Sequence, residues 1–244
     1  MSTSTETYQI TVSGIAIDVV RKDIKNLRLG VYPPGGRVRV AVPLGTSEEA
    51  VRLAVVGNLG WIKRQQAKFE SQPRQSQREM VSGESHYFLG SRYRLNVVVD
   101  NGPGKVVLRN QSHLDIFVRP DTGPDFRERM LYQWYRRQLR MLIPPLVSRW
   151  EQILGVRVAE WGIKRMKTKW GSCNIQARRI WLNLELAKKS VHCLEYIVIH
   201  EMIHLLERRH NGRFSDLMDA HLPQWRLYRD ELNGAPLAYE TWRP

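Results

Sequence analysis

Two cysteines in 244 residues, Cys173 and Cys193, with no C-x-x-C pair between them, exclude a disulfide framework and a cysteine–zinc site. Their expected state is reduced and partly buried. No apolar run approaches the ~20 residues that a membrane span requires, so no membrane partner is expected. The opening MSTSTETYQ lacks the basic start and apolar core of a secretory signal, and a cytoplasmic location is the expectation. No glycine-rich phosphate cradle of the P-loop kind is present. Acid is also scarce: Asp+Glu 24 stand against Lys+Arg 38, a net charge of +14. Such a balance points either to a solvated basic surface or to a nucleic-acid, nucleotide or phosphate-bearing partner. Three basic runs interleave with aromatics, at Trp61–Arg64, Trp134–Arg137 and Lys164–Trp170, a composition that suits single-stranded nucleic acid.

What the chain does have is an unusual stretch from Leu194 to Phe214, LEYIVIHEMIHLLERRHNGRF. Between Tyr196 and Leu206 every side chain is apolar except His200, Glu201 and His204. At about 100° per residue a helix gathers these three in one sector, whereas a strand would send Glu201 to the opposite face. The surrounding apolar girdle predicts a helix buried nearly all round. Two imidazoles and a carboxylate inside such a helix need a compensating partner. Histidines at i and i+4 bind one zinc, and the adjacent glutamate handles the proton of the activated water.

A third ligand is required. His210 completes H-E-x-x-H-x5-H, with the chain leaving the helix between Glu207 and Arg209 and Asn211-Gly212 acting as the stop signal. Downstream carboxylates are its rivals: Glu231, or Asp216 and Asp219. The metzincin spacing is shared, but the glycine those sequences carry at the third intervening position is Glu207 here. An oxyanion donor is also needed; His192 and His221 offer suitable chemistry, and Tyr196 stands behind them.

The remainder reads as an α+β chain. Residues 8–42 and 87–118 carry strand patterns, the latter as Tyr87–Val99 and Lys105–Val118 joined by Asp100-Asn101-Gly102. Thr46-Ser47-Glu48-Glu49 opens a helix running towards Phe69, and residues 70–80 read as a polar linker. His86 and His113 stand alone among the strands. A long helix is expected over Asp125–Ile143, kinked or split by Pro144-Pro145, continued over Leu146–Leu154 and ended by Gly155. Residues 156–169 and 179–186 read as strands, with Trp170-Gly171-Ser172-Cys173-Asn174 in the turn between them. Ser190 is placed to cap the histidine helix, and two short helices follow it, separated by Pro223. The expected division is a mostly β region over residues 1–120, a small antiparallel sheet with a helix, and a catalytic domain over 121–244.

The T-K-W-G-S-C-N run at 168–174, W-L-N at 181–183 and H-E-x-x-H-x5-H with Phe214 resemble the YgjP-like zinc metallopeptidases, bacterial relatives of SprT-like proteases. The basic turn near Arg21–Asn26 and H-L-P-x-W at 221–225 extend the likeness over nearly the whole chain. The resemblance implies His200, His204 and His210 as zinc ligands and Glu201 as general base. It also implies a gluzincin-like (zincin) core, with an edge strand above the helix that carries the histidines. Hydrolysis of a peptide or protein substrate is the expected activity. Members of the family are also described as nucleotide pyrophosphatases, so a metal-dependent nucleoside triphosphate pyrophosphohydrolase is an alternative. A protease recruited to nucleic acid is another.

Overall fold

The computed structural model describes residues 6–32, 35–71, 78–166 and 169–234. The polar stretch 72–77 lies outside them. The chain divides into two compact units that meet in sequence at Gln75 and Ser76, and among the described residues it is a mixed α+β protein with three small sheets and six α-helices.

In the first unit, Ser13 and Gly14 both adopt positive φ (51° and 79°), the backbone that a two-residue hairpin turn needs to match strand twist. They join β1 (Glu6–Val12) to β2 (Ile15–Lys22). A second hairpin pairs β3 (Arg28–Tyr32) with β4 (Arg37–Pro43), and β2 runs parallel to β4. Alternation puts Ile17, Val19, Val38, Val40 and Val42 on one face, all fully buried. Two helices cover them through Val51, Val55 and Ile62. Ser47 caps the first, α1 (Glu48–Gly57), by accepting from Ala50 N. The single helix expected here is broken: the Asn58 side-chain amide donates to Ala54 O at 2.8 Å and α2 (Leu59–Ser71) restarts beyond it.

The second unit repeats that strand pattern. β5 (Ser85–Phe88), β6 (Ser91–Val99), β7 (Lys105–Arg109) and β8 (His113–Val118) take the order β5-β6-β8-β7, with β6 and β8 parallel. The two long strands expected over this region are therefore four. Leu89-Gly90 and Asn110 take positive φ and fold each one into a hairpin. His86 and His113 sit on these strands, His86 buried. This sheet, read from the sequence as part of residues 1–120, shares its core with α3 (Pro124–Leu154) through Leu114, Ile116, Trp134 and Leu139. Pro144-Pro145 does not split α3. Ile143, Val147 and Trp150 are buried on both sides of the prolines, so packing holds the helix where two hydrogen bonds are missing. Gly155, at φ 64°, ends it.

Burial also reassigns one basic run. Trp134 and Tyr135 are core residues, and Arg136 donates to Ile163 O at 2.6 Å, so this cluster offers no exposed aromatic for a base to stack on.

A third sheet follows: β9 (Glu160–Lys164), β10 (Gly171–Asn174) and β11 (Arg179–Asn183) in the order β10-β11-β9. The W-G-S-C-N segment is thus largely strand rather than turn, antiparallel to β11 and at the sheet edge. Then come α4 (Val191–Ile203), α5 (Gly212–His221) and α6 (Trp225–Gly234). Among the described residues no helix is long and apolar enough to cross a membrane.

Candidate metal centre

The site is built on α4. Ser190 Oγ accepts from Cys193 N at 3.3 Å and starts the helix as expected. Leu194, Val198, Ile199, Met202 and Ile203 are fully buried, so the helix is held by packing along its length. The sector carrying His200, Glu201 and His204 opens onto a cleft of about 540 Å³.

The helix ends at Ile203, earlier than expected. Leu206 N and Glu207 N both donate to Ile203 O, at 2.8 and 2.9 Å, and this tightened turn releases the chain before Glu207 rather than after it. Asn211-Gly212 does not stop α4. Asn211 instead caps α5, its Oδ1 accepting from Phe214 N at 3.0 Å, which is the use its short polar side chain favours. His210 stands just before that cap and is carried back over α4.

Ligand atoms of His200, His204 and His210 lie within 4.8 Å of one another. Nε2 of His200 is 3.0 Å from Nε2 of His210. His204 Nδ1 is 3.1 Å from Glu207 O, so the tautomer that donates there leaves Nε2 unprotonated. Burial, followed by the charges of His204 and His210, pushes the His200 imidazole down to about 3, and burial also lowers His204. Both rings are neutral near neutrality, with lone pairs available. Phe214, buried beneath, touches all three rings, with centroids 5.0, 5.0 and 4.7 Å from those of His200, His204 and His210.

The rival carboxylates are elsewhere. Asp219 accepts from Trp225 Nε1 at 2.7 Å and pairs with Arg226. Glu231 lies near Cys193, whose thiol is pushed up by burial first and by this carboxylate in addition, and Asp216 is on the exposed side of α5. Of the candidate oxyanion donors, His192 stacks on Tyr228 with centroids 5.4 Å apart, and His221 meets Trp150 edge-on at 6.5 Å. Neither lines the cleft; Tyr196 does.

Glu201 is 5% exposed, and burial pushes its carboxyl up to about 8, with the Lys169 charge pulling the other way. Its carboxylate lies against Gly171 on β10, where a Cβ would stand 2.7 Å from Glu201 Cγ and closer still to Oε1. Only glycine leaves that space. Asn183, fully buried, secures the approach to β10: its Nδ2 donates to Met166 O at 2.8 Å and Lys169 O at 2.7 Å, while its Oδ1 accepts from Met166 N and Glu185 N. Sequence reasoning assigned neither role. The W-G-S and W-L-N runs marked the positions but not their contacts. Both cysteines are free, Cys173 half-buried and Cys193 buried.

The donor set fits a borderline transition metal. Three imidazoles converge, no carboxylate joins them among the described residues, and the buried His200 Nδ1 has no partner there, so the ring is fixed by packing and by what its other nitrogen faces. Fold and cluster together define a candidate metalloenzyme centre. The family described as "YgjP-like, metallopeptidase domain" matches residues 25–235, and the chain belongs to that family. Among curated proteins none matches. Among solved structures, the metallopeptidase zymogen of Pyrococcus abyssi abylysin is similar over 36% of this chain and 89% of its own, at 20% identity and a TM-score of 0.34.

Proposed function

We propose that this member of the metallopeptidase family is a zinc-dependent peptidase whose ligands are His200, His204 and His210 and whose general base is Glu201. The observation that carries this reading is the convergence of three imidazoles within 4.8 Å beside a buried carboxylate. Imidazole nitrogen donors in this number suit zinc with a position left for water. When bound, the ion supplies Lewis acidity, acidifying water and polarising a carbonyl.

The chain's own residues do the rest. Glu207 O fixes the His204 ring through Nδ1, and Phe214 seats all three imidazoles. Glu201, buried beside the histidines, takes the proton of the attacking water as a carboxylate and passes it to the departing amine. Gly171 lets its carboxylate lie against β10. The outer edge of β10 has no partner strand among the described residues, so an extended peptide can add to it as a further strand above α4, in a gluzincin-like arrangement.

The test is direct. Elemental analysis should find about one zinc per chain, and the zinc-loaded protein should cut casein while leaving a nucleotide panel intact. Glu201→Gln should retain the zinc and lose turnover by at least about a hundredfold. Full activity in that variant would reject the mechanism.

A further inference from the structure

The cleft beside the histidines carries an imbalance of charge that the chemistry of bond cleavage does not require. Lys169, Arg208 and Arg229 line it, and Glu201 is the single acidic residue among the described residues that line it. Lys169 comes two residues before the edge strand and lines the cleft together with Glu201. It makes no ion pair among the described residues. Arg208 lies in the turn between His204 and His210, exposed, and its guanidinium likewise has no acidic partner among them. The neighbouring Glu207 carboxylate is engaged elsewhere, accepting from Arg209 N at 3.1 Å. Arg229, on α6, places its Nε 2.9 Å from Asp230 and its guanidinium over the Trp225 ring.

These positions are ordered along the helix. Tyr196, one turn before His200, stacks on Trp225 with centroids 6.3 Å apart, and Arg229 lies over that same Trp225 ring, while Arg208 lies past His204. From residue 196 to residue 204 the helix advances roughly 12 Å, the length of three to four residues of extended peptide. A peptide lying along the cleft therefore passes one cation, then the histidines, then another.

We propose that the cleft selects peptides with Asp or Glu on both sides of the scissile bond, read by Arg229 at one end, by Arg208 at the other and by Lys169 from the strand side. This rests on the peptidase reading above and specifies its substrate class. Cationic side chains attract carboxylates of the substrate, and because Arg208 is exposed the selection should weaken as salt rises. A polyphosphate would also meet these cations, but an exposed strand edge recognises peptide backbone.

The experiment is cleavage of a random-sequence peptide mixture by the zinc-loaded full-length protein, with cut sites read by mass spectrometry. Asp and Glu should be enriched about tenfold within two residues of the cut on either side, as two or three modest ion pairs would give. The double variant Arg208→Glu, Arg229→Glu should lose the enrichment or favour Lys and Arg. Its zinc content and circular dichroism establish that it is folded, and Lys169→Gln provides a milder second variant. In a parallel readout, a labelled acidic peptide should bind the Glu201→Gln protein more tightly than its lysine counterpart, by fluorescence anisotropy. Cuts without acidic enrichment overturn the inference and leave the peptidase standing. Enrichment that persists unchanged in both variants overturns the assignment to these residues. No cuts at all, or nucleotide hydrolysis instead, overturn the peptidase and the inference together.

Discussion

A single missing methyl group controls the position of the proposed base. Glu201 occupies the space that a side chain at residue 171 would fill, so Gly171→Ala should push the carboxylate aside while leaving the histidines in place. The expected outcome is zinc bound at full stoichiometry with turnover down by at least about tenfold, read by elemental analysis and a peptidase assay. A second residue-scale effect concerns pH. Burial pushes the His86 imidazole down to about 4, with the Glu84 carboxylate 3.2 Å away pulling it up. The native ring is then neutral where the unfolded chain, titrating near 6.5, has begun to take a proton. The stability it contributes is complete above pH ~6.5 and is lost as pH falls through the window down to ~4. By pH 5 the loss should be about 2 kcal/mol. Urea midpoints at pH 7 and pH 5 measure it, and His86→Gln should flatten the difference.

At the scale of elements, the turn between α4 and α5 carries the burden of assembling the site. Asn211 caps α5 and adjoins His210, so Asn211→Ala should cost about 1 kcal/mol of stability and also weaken zinc binding. Ser190→Ala removes the cap at the far end of α4 at similar cost. Because Ser190 lies ten residues before His200, it should leave zinc affinity unchanged. Chelator competition on the two variants separates a local positioning effect from general destabilisation. Asn183 shows the same economy, since one buried amide joins Met166, Lys169 and Glu185 and so braces both the edge strand and the short 3-10 helix, Leu184–Lys188, that leads into α4.

For the whole molecule, the two units share a strand order, two hairpins joined through a parallel central pair, but carry different burdens. All seven histidines lie beyond residue 85, and the cluster of potential metal ligands among the described residues is in the second unit. A ligand that binds only the folded state stabilises by mass action, about 2.7 kcal/mol at a hundredfold excess over Kd. Removing zinc with a chelator should therefore lower the melting transition of the second unit and spare that of the first. Calorimetry with and without EDTA is the measurement.

Spacing within a short stretch was readable before any coordinates, because it is a property of local chain geometry. His200, Glu201 and His204 share a sector on any helix, Ser47 and Ser190 cap theirs, and Gly155 ends α3. The membership of His210 was readable as a possibility among rivals; its approach to His200 needed an early helix exit and a capped α5. Other features depended on contacts between residues far apart in the chain. Gly171 meets Glu201 across thirty positions, and β6 pairs with β8 rather than with β7, the strand that follows it. Pro144-Pro145 sits inside a continuous helix because the core on both sides outweighs two lost hydrogen bonds. Periodicity records which face of an element is apolar, and it carries no information about which other element that face will meet.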